Sequence, residues 1–279
     1  MPHRPLLPRI ALALIGLGAI VQAGACLDFD RLVVGAASNG GGDPDVVAGD
    51  ADASSFVDVA DADAQTPPQR LFLRGTAQAG PINGSTPLVL PVPPGIQPGD
   101  LMLLALASSE MQATAVFMTD GGANEWTHRF ALTPKCETGA NGTFSVRSRV
   151  ARANEEPILQ LTFDGPSYTE RATAILSVWA GTDPSFPIDT EIFAATNDLV
   201  APELVTTAPN AQLVGLFTNA RGEGATWIAP AGMTTRASTG LLALFEEPLE
   251  APGPTGSRSA LSSGPICGAA AMLALRPSP

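Results

Sequence analysis

The clearest strand pattern in the sequence is FSVRSRV, which begins at Phe144 and ends at Val150. Val146 falls on the same face of an extended chain as both ends of this stretch, whereas Arg147 and Arg149 fall on the opposite face. The alternation predicts a strand with an apolar face in a core and a cationic face in solvent.

Several other short apolar runs accompany this strand, and prolines and glycines separate them. They lie at 101–107, 159–163, 172–179 and 213–217. The chain holds 28 Gly and 26 Pro, and it contains no long amphipathic helical stretch. We therefore expect an all-β fold over 70–279, built as an antiparallel two-sheet sandwich.

An internal repeat indicates that this domain has two halves. The first copy holds GDLMLLA (from Gly99), WTHR (from Trp126) and EEP (from Glu155), and the second holds NAQLVGL (from Asn210), GMTTR (from Gly232) and EEP (from Glu246). Each copy ends in a strand of small and apolar residues. The repeat predicts a single domain with halves at about 85–185 and 200–276, each of which contributes to both sheets of the sandwich.

A set of turn and strand-start motifs extends over most of 85–276. They are PGIQPGDL at 94–101, WT at 126–127, RVA at 149–151, GTD at 181–183, PID at 187–189, APAGMT at 229–234 and GSR at 256–258. These motifs resemble a jelly-roll-like β-sandwich domain of secreted and surface proteins of bacteria and of phage tail proteins. That family has no agreed activity, so the resemblance implies a fold and a location outside the cytoplasm, and no reaction.

The N-terminus predicts export. Arg4 and Arg9 precede an apolar run at 10–21, which is too short to cross a bilayer and is typical of a signal-peptide core. The following QAGAC ends at Cys26 and resembles the lipobox of bacterial lipoproteins. The resemblance implies that 1–25 is a signal peptide and that Cys26 is lipidated.

Two details of this region bear on the location. By analogy with lipoprotein sorting, Leu27 in place of an aspartate favours the outer membrane or the cell surface. Ala23-Gly24-Ala25 also fits the cleavage site of ordinary signal peptidase. A secreted or periplasmic protein with a free Cys26 thiol is therefore the alternative.

The segment 26–69 has a different composition from the rest of the chain. It holds nine aspartates against one base, Arg31, and many alanines and glycines. Such a segment cannot bury enough apolar surface to offset its ordering entropy, so we expect a disordered tether. The aspartates lack the spacing of a calcium-binding loop, so we expect no metal there.

The charge and the residue types argue against several functions. With 15 basic and 27 acidic residues the net charge is −12, which argues against nucleic-acid binding. His128 is the only histidine after 1–25 and no G-x-S-x-G string is present. The adjacent glutamates Glu155-Glu156 and Glu246-Glu247 point to opposite faces of a strand within each pair. We therefore expect no enzyme, no cofactor and no metal site, with His128 on a surface strand and these glutamates in solvent.

The remaining cysteines and aromatic residues supply the other candidate sites. Cys136 and Cys267 form an even pair in an exported chain, which predicts a disulfide. Trp227 and Tyr168 are the candidate ligand contacts, whereas Trp179 ends an apolar run and is expected in the core.

Taken together, these features predict a lipid-anchored cell-envelope protein. It binds the membrane through the lipid on Cys26 and displays a β-sandwich for adhesion or non-catalytic ligand binding, with a glycan or an envelope protein as partner. The alternative is a secreted carbohydrate-active enzyme or its carbohydrate-binding accessory module. A purely structural envelope component also fits the sequence.

Overall fold

The structure, a computed structural model, describes most of the chain from Arg70 onward. The described residues are 70–83, 87–109, 115–118, 125–134, 142–164, 171–195, 198–222, 224–264 and 266–279, with the backbone alone for 83, 115–118 and 163–164. They belong to one compact unit, Val59–Pro279. The predictions for 1–25, 26–69, Cys26, Cys136 and Tyr168 lie outside the described residues. In the part of the chain that the structure covers, no helix has the length and apolarity to span a membrane.

The described secondary structure is almost entirely strand, so the predicted all-β class is confirmed. The first eight strands are β1 (Phe72–Asn83), β2 (Leu88–Pro91), β3 (Leu101–Ser108), β4 (Ala115–Met118), β5 (Thr127–Leu132), β6 (Thr143–Val150), β7 (Ile158–Asp164) and β8 (Arg171–Ala180). The next eleven are β9 (Ile188–Ala194), β10 (Val200–Ala201), β11 (Val205–Thr206), β12 (Gln212–Asn219), β13 (Trp227–Ile228), β14 (Thr234–Ser238), β15 (Leu242–Pro248), β16 (Gly253–Pro254), β17 (Arg258–Ser259), β18 (Leu261–Ser262) and β19 (Gly268–Leu275).

Two five-stranded antiparallel sheets form the centre of the described unit. The first has the order β1-β8-β3-β6-β5, and the second has the order β9-β19-β12-β15-β14. The two orders match strand for strand: β1 corresponds to β9, β8 to β19, β3 to β12, β6 to β15 and β5 to β14. We call β1–β8 the first half and β9–β19 the second half.

The two large sheets face each other, and each is covered on its other side by further strands. Leu101 and Leu103 of β3 lie in a core between the two sheets, whereas Met102 and Leu104 lie in a second core beneath the small sheet β2-β7-β4. A third core separates the second large sheet from the two-stranded ribbons β10-β17, β11-β16 and β13-β18. The described strands therefore form four layers.

The prediction that each half contributes strands to both large sheets is wrong. Each large sheet is built by one half alone. Each half also supplies its own covering strands, because β3, β12 and β19 are buried at every position and both faces of their sheets must therefore be covered. A single pair of sheets would leave one apolar face of each strand in water.

Candidate functional site

The two large sheets meet along two edges. Both edges are formed by corresponding strands, but the half that supplies each strand is exchanged between them. At one edge β5 of the first half faces β9 of the second. At the other edge β1 of the first half faces β14 of the second. Because β1 corresponds to β9 and β5 to β14, the halves pack as the subunits of an isologous dimer do.

The β5/β9 edge is closed by side chains from both halves. Arg129 donates from Nε and Nη2 to the carboxylate of Glu191, at 2.9 and 2.8 Å. Beside this pair the rings of Phe130 and Phe193 stack with their centroids 4.8 Å apart. The ion pair and the rings together fill the space between the two sheets.

The β1/β14 edge carries shorter or more polar residues at the equivalent positions. Arg129 and Arg236 each occupy the extra residue of a β-bulge against the neighbouring strand, and Phe130 corresponds to Ala237. The strand pairings likewise place Thr76 where the other half has Glu191, and Gln78 where it has Phe193. Of the four residues that close the β5/β9 edge, only the arginine therefore has an identical counterpart at the β1/β14 edge, which is Arg236.

The space left at this edge is an open groove, which we call the β1/β14 groove. Its outer part has a volume of about 440 Å³ and is lined by Thr76, Gln78, Thr235, Arg236, Ala237 and Ser238. A second cavity of about 570 Å³ adjoins it at Arg236. Its lining includes the polar residues Arg70, Gln212, Thr234 and Glu246 beside the apolar Leu71, Phe72, Leu73 and Pro248. Most of the lining can donate or accept hydrogen bonds.

The groove contains one ion pair and one buried amide. Arg236 donates from Nε to Glu246 at 2.5 Å, and the exposed fractions of the two side chains are 43% and 10%. Gln212 is buried, and its Nε2 has no hydrogen-bond partner among the described residues. Strand pairing puts Gln212 at the position that Leu101 occupies in the first half, so an amide replaces a core leucine here.

The residues that the sequence singled out lie elsewhere. Trp227 is half-buried, packs against the third core and donates from Nε1 to the carbonyl of Thr239 at 2.8 Å, so it does not line the groove. Its role as a ligand contact stays a prediction, as does that of Tyr168. Trp179 is fully buried, as the sequence predicted. Cys267 is buried and disulfide-bonded, but Cys136 is not described and the pairing stays a prediction.

The prediction that the cationic face of β6 is solvated is wrong for Arg149. Its guanidinium lies 4.7 Å from the ring centroid of the buried Trp126 and forms a salt bridge with Glu155. Only 5% of its side chain is exposed. Trp126 and the loop between β6 and β7 cover this part of β6, so the charge is paired and not hydrated.

The solvated-acid prediction is wrong for Glu155, Glu246 and Glu247. Glu155 and Glu246 are largely buried against Arg149 and Arg236. Glu247 is partly buried and forms a salt bridge with Arg258 at 2.9 Å. As predicted, Glu246 and Glu247 leave β15 toward opposite faces, because their partners lie on different sides of the sheet.

His128 lies exposed on β5, as predicted. Partial burial and the positive charge of Arg147, its partner on β6, lower the pKa of His128 from its ordinary value of 6.5. Within the described ranges no three His, Cys, Asp or Glu side chains come close enough together to hold a metal ion.

Comparisons with protein-family models, with curated proteins and with solved structures found no match for this chain. The functional argument therefore rests on the β1/β14 groove. Sequence reasoning missed Gln212, Arg236, Thr76 and Gln78 as site residues. Aligning the repeat would have shown Gln212 opposite Leu101, but only the packing of the two halves shows that this position opens into a groove.

Proposed function

We propose that this protein is an exported, lipid-anchored cell-envelope protein whose jelly-roll-like β-sandwich binds a ligand without catalysis. The signal peptide 1–25, the lipid on Cys26 and the tether 26–69 would hold the folded unit away from an outer membrane. The β1/β14 groove would be its binding site. The single observation that carries the proposal is the difference between the closed β5/β9 edge and the open β1/β14 edge.

The size and lining of the groove favour a saccharide as the ligand. The closed edge holds two stacked phenyl rings where the groove has Ala237 and Gln78, so ring-sized space is available. The lining is rich in hydroxyl, amide and guanidinium groups, which match sugar hydroxyls better than they match an apolar guest. The partner is therefore a glycan in this proposal, ahead of an envelope protein.

The alternative of a carbohydrate-active enzyme receives less support from the same groove. Glycoside hydrolysis in its usual form needs two carboxyl groups across the scissile bond. Among the described lining residues of the groove, Glu246 is the one carboxylate, and Arg236 already pairs with it. A binding module fits this arrangement better than a hydrolase.

The test is saccharide binding by the full chain, purified in detergent, on an oligosaccharide array followed by calorimetry of the best ligand. We expect Arg236→Ala and the groove-filling Ala237→Phe to weaken binding. The matched control Arg129→Ala removes the equivalent arginine from the closed edge and should leave binding unchanged. Two variants are used because either could fail to fold, which thermal unfolding reports.

Two outcomes would contradict this proposal. Absence of saccharide binding, or binding that neither groove variant weakens, would exclude the groove as a glycan site. Release of new reducing ends by the wild-type chain, lost in Glu246→Gln, would establish the enzyme alternative instead.

A further inference from the structure

Comparison with the closed edge shows that Arg236 lacks a carboxylate from the facing strand. At the β5/β9 edge the facing strand supplies the carboxylate of Glu191, and both of its oxygens accept from Arg129. At the β1/β14 edge the facing strand supplies Thr76 at the same position, and a threonine hydroxyl cannot neutralise a guanidinium. The place of one carboxylate beside Arg236 is open to the groove.

Arg236 retains donor capacity toward that place. Its Nε and Nη2 are directed to Oε1 of Glu246 on its own sheet. Its Nη1 has no acceptor among the described residues, and 43% of the side chain is exposed. A guanidinium presents five N–H donors in a fixed plane, so it can hold Glu246 and a second carboxylate together.

The charge of the groove favours an anion. Its described charged side chains are Arg70, Arg236 and Glu246, which sum to +1, although the whole chain has a net charge of −12. The buried Nε2 of Gln212, deeper in the same groove, is a second donor with no partner in the described part of the chain. A buried N–H without an acceptor is costly, so a ligand oxygen that reaches it gains affinity.

From these observations we infer that the groove binds a saccharide bearing a carboxylate, a uronic acid, whose carboxylate takes beside Arg236 the place that Glu191 takes beside Arg129. The sugar ring occupies the space that Phe130 and Phe193 fill at the closed edge, and its ring hydroxyls meet the exposed Gln78. This inference rests on the proposed function and deepens it.

The experiment compares two probes of the same shape on the full chain. They are the galacturonic acid trisaccharide and its fully methyl-esterified form, which has the same rings and hydroxyls but no charge. We expect the acid to bind roughly tenfold more tightly than the ester, as for one charge-assisted interaction at a half-exposed site. Added salt should weaken binding of the acid and leave the ester unaffected.

A pair of variants tests the position of the carboxylate. Thr76→Glu would place an internal carboxylate where Glu191 lies at the other edge, and Thr76→Gln has nearly the same shape without the charge. We expect Thr76→Glu to bind the acid roughly tenfold more weakly than Thr76→Gln, because its carboxylate competes for Arg236. The ester should not distinguish the two variants. Thermal unfolding of both variants confirms that they are folded.

Four results would overturn the inference. Equal binding of acid and ester would show that no carboxylate is recognised, while the proposed saccharide function would stand. Equal binding of the acid by Thr76→Glu and Thr76→Gln would show that the carboxylate lies elsewhere. Tighter binding of triglutamate than of the trisaccharide would identify an acidic peptide as the ligand. Failure of every charged and neutral saccharide to bind would remove the proposed function as well.

Discussion

Arg149 and Glu247 occupy the same position in the two halves of the protein and carry opposite charges. Arg149 pairs with Met102, the second residue of β3, and Glu247 pairs with Leu213, the second residue of β12. Each forms a salt bridge with a residue of opposite charge from the strands or loops that cover its sheet, Glu155 in the first half and Arg258 in the second. The ion pair is present in both halves while its polarity is reversed.

The same inversion occurs at a second pair of positions. Arg74 and Asp189 are the extra residues of equivalent bulges in β1 and β9. Arg74 donates to both carboxylate oxygens of Asp100, at 2.7 and 3.0 Å, and Asp189 accepts from Arg276 at 2.6 Å. At these positions each half carries a charge that is paired within that half, and the sign of the charge differs between the halves.

The first prediction concerns the buried member of the inverted pair. Arg149→Met leaves the carboxylate of Glu155, only 4% exposed, without its charged partner. We expect a loss of about 3–5 kcal/mol in the free energy of unfolding, as for other broken buried ion pairs. Urea denaturation measures it. Arg258→Met is the comparison, since it uncovers the more exposed Glu247 and should cost about 1 kcal/mol. Equal losses in the two variants would contradict the difference in burial.

The second prediction is a pH dependence at Asp189. Burial alone would raise its pKa, but hydrogen bonds from the hydroxyl and amide of Thr207, from Arg276 and from the amide of Ala208 outweigh burial and lower the pKa from 3.8 to about 2. A carboxylate with a depressed pKa stabilises the fold above its unfolded-state pKa, and this contribution is lost as the pH falls toward the folded-state value.

Asp189→Asn should therefore destabilise the protein at neutral pH, by about 1–3 kcal/mol for the loss of hydrogen bonds to a charged group. The difference from wild type should shrink as the pH falls from 3.8 to about 2. Denaturant titrations of both proteins across this range provide the measurement. A difference that stays constant with pH would show that the charge of Asp189 contributes nothing.

The third prediction concerns the closed edge. Phe130 is 3% exposed and its ring contacts those of Phe144 and Phe193, with centroids 5.3 and 4.8 Å away. Phe130→Ala should cost about 3–5 kcal/mol, because it leaves a cavity between the sheets. Phe193→Ala should cost about 1 kcal/mol, since 43% of that residue is already exposed. The midpoints of thermal unfolding rank the two variants, and the reverse order would contradict the packing described here.

The fourth prediction is the identity of the disulfide. Cys267 is fully buried and disulfide-bonded, and we predict Cys136 as its partner. Peptide mapping without reduction should recover the two cysteines in one linked peptide. Reduction should destabilise the fold on the order of 4–5 kcal/mol in the chain-entropy model, given the long loop that is closed. Labelling of Cys136 by a thiol reagent in unreduced protein would rule the pairing out.

The fifth prediction is the form of the N-terminus. The intact mass of protein extracted from membranes should fit a chain that starts at Cys26 and carries diacylglyceryl and acyl groups. An unmodified chain starting at Cys26 would make the protein soluble and exported, and it would remove the membrane anchor from the proposed function.

The sequence by itself determined the strands and the all-β class. The alternation at 144–150 lies within β6, and the apolar runs at 101–107 and 172–179 lie within β3 and β8. These predictions succeed because side-chain periodicity along an extended chain is a local property, visible in a few consecutive residues. The same locality placed Trp179 in the core and His128 on an exposed strand.

Only the tertiary structure decided what each strand face meets. The alternation predicted which face of β6 carries Arg149. It could not predict how exposed that side chain is, because the residues that cover this face come from other parts of the chain. The groove depends on still longer-range relations, since Arg129 and Arg236 lie in matching bulges but different strands face them across the sheet pair. Whether that strand supplies Glu191 or Thr76 is set by the packing of one half on the other, which no local pattern encodes.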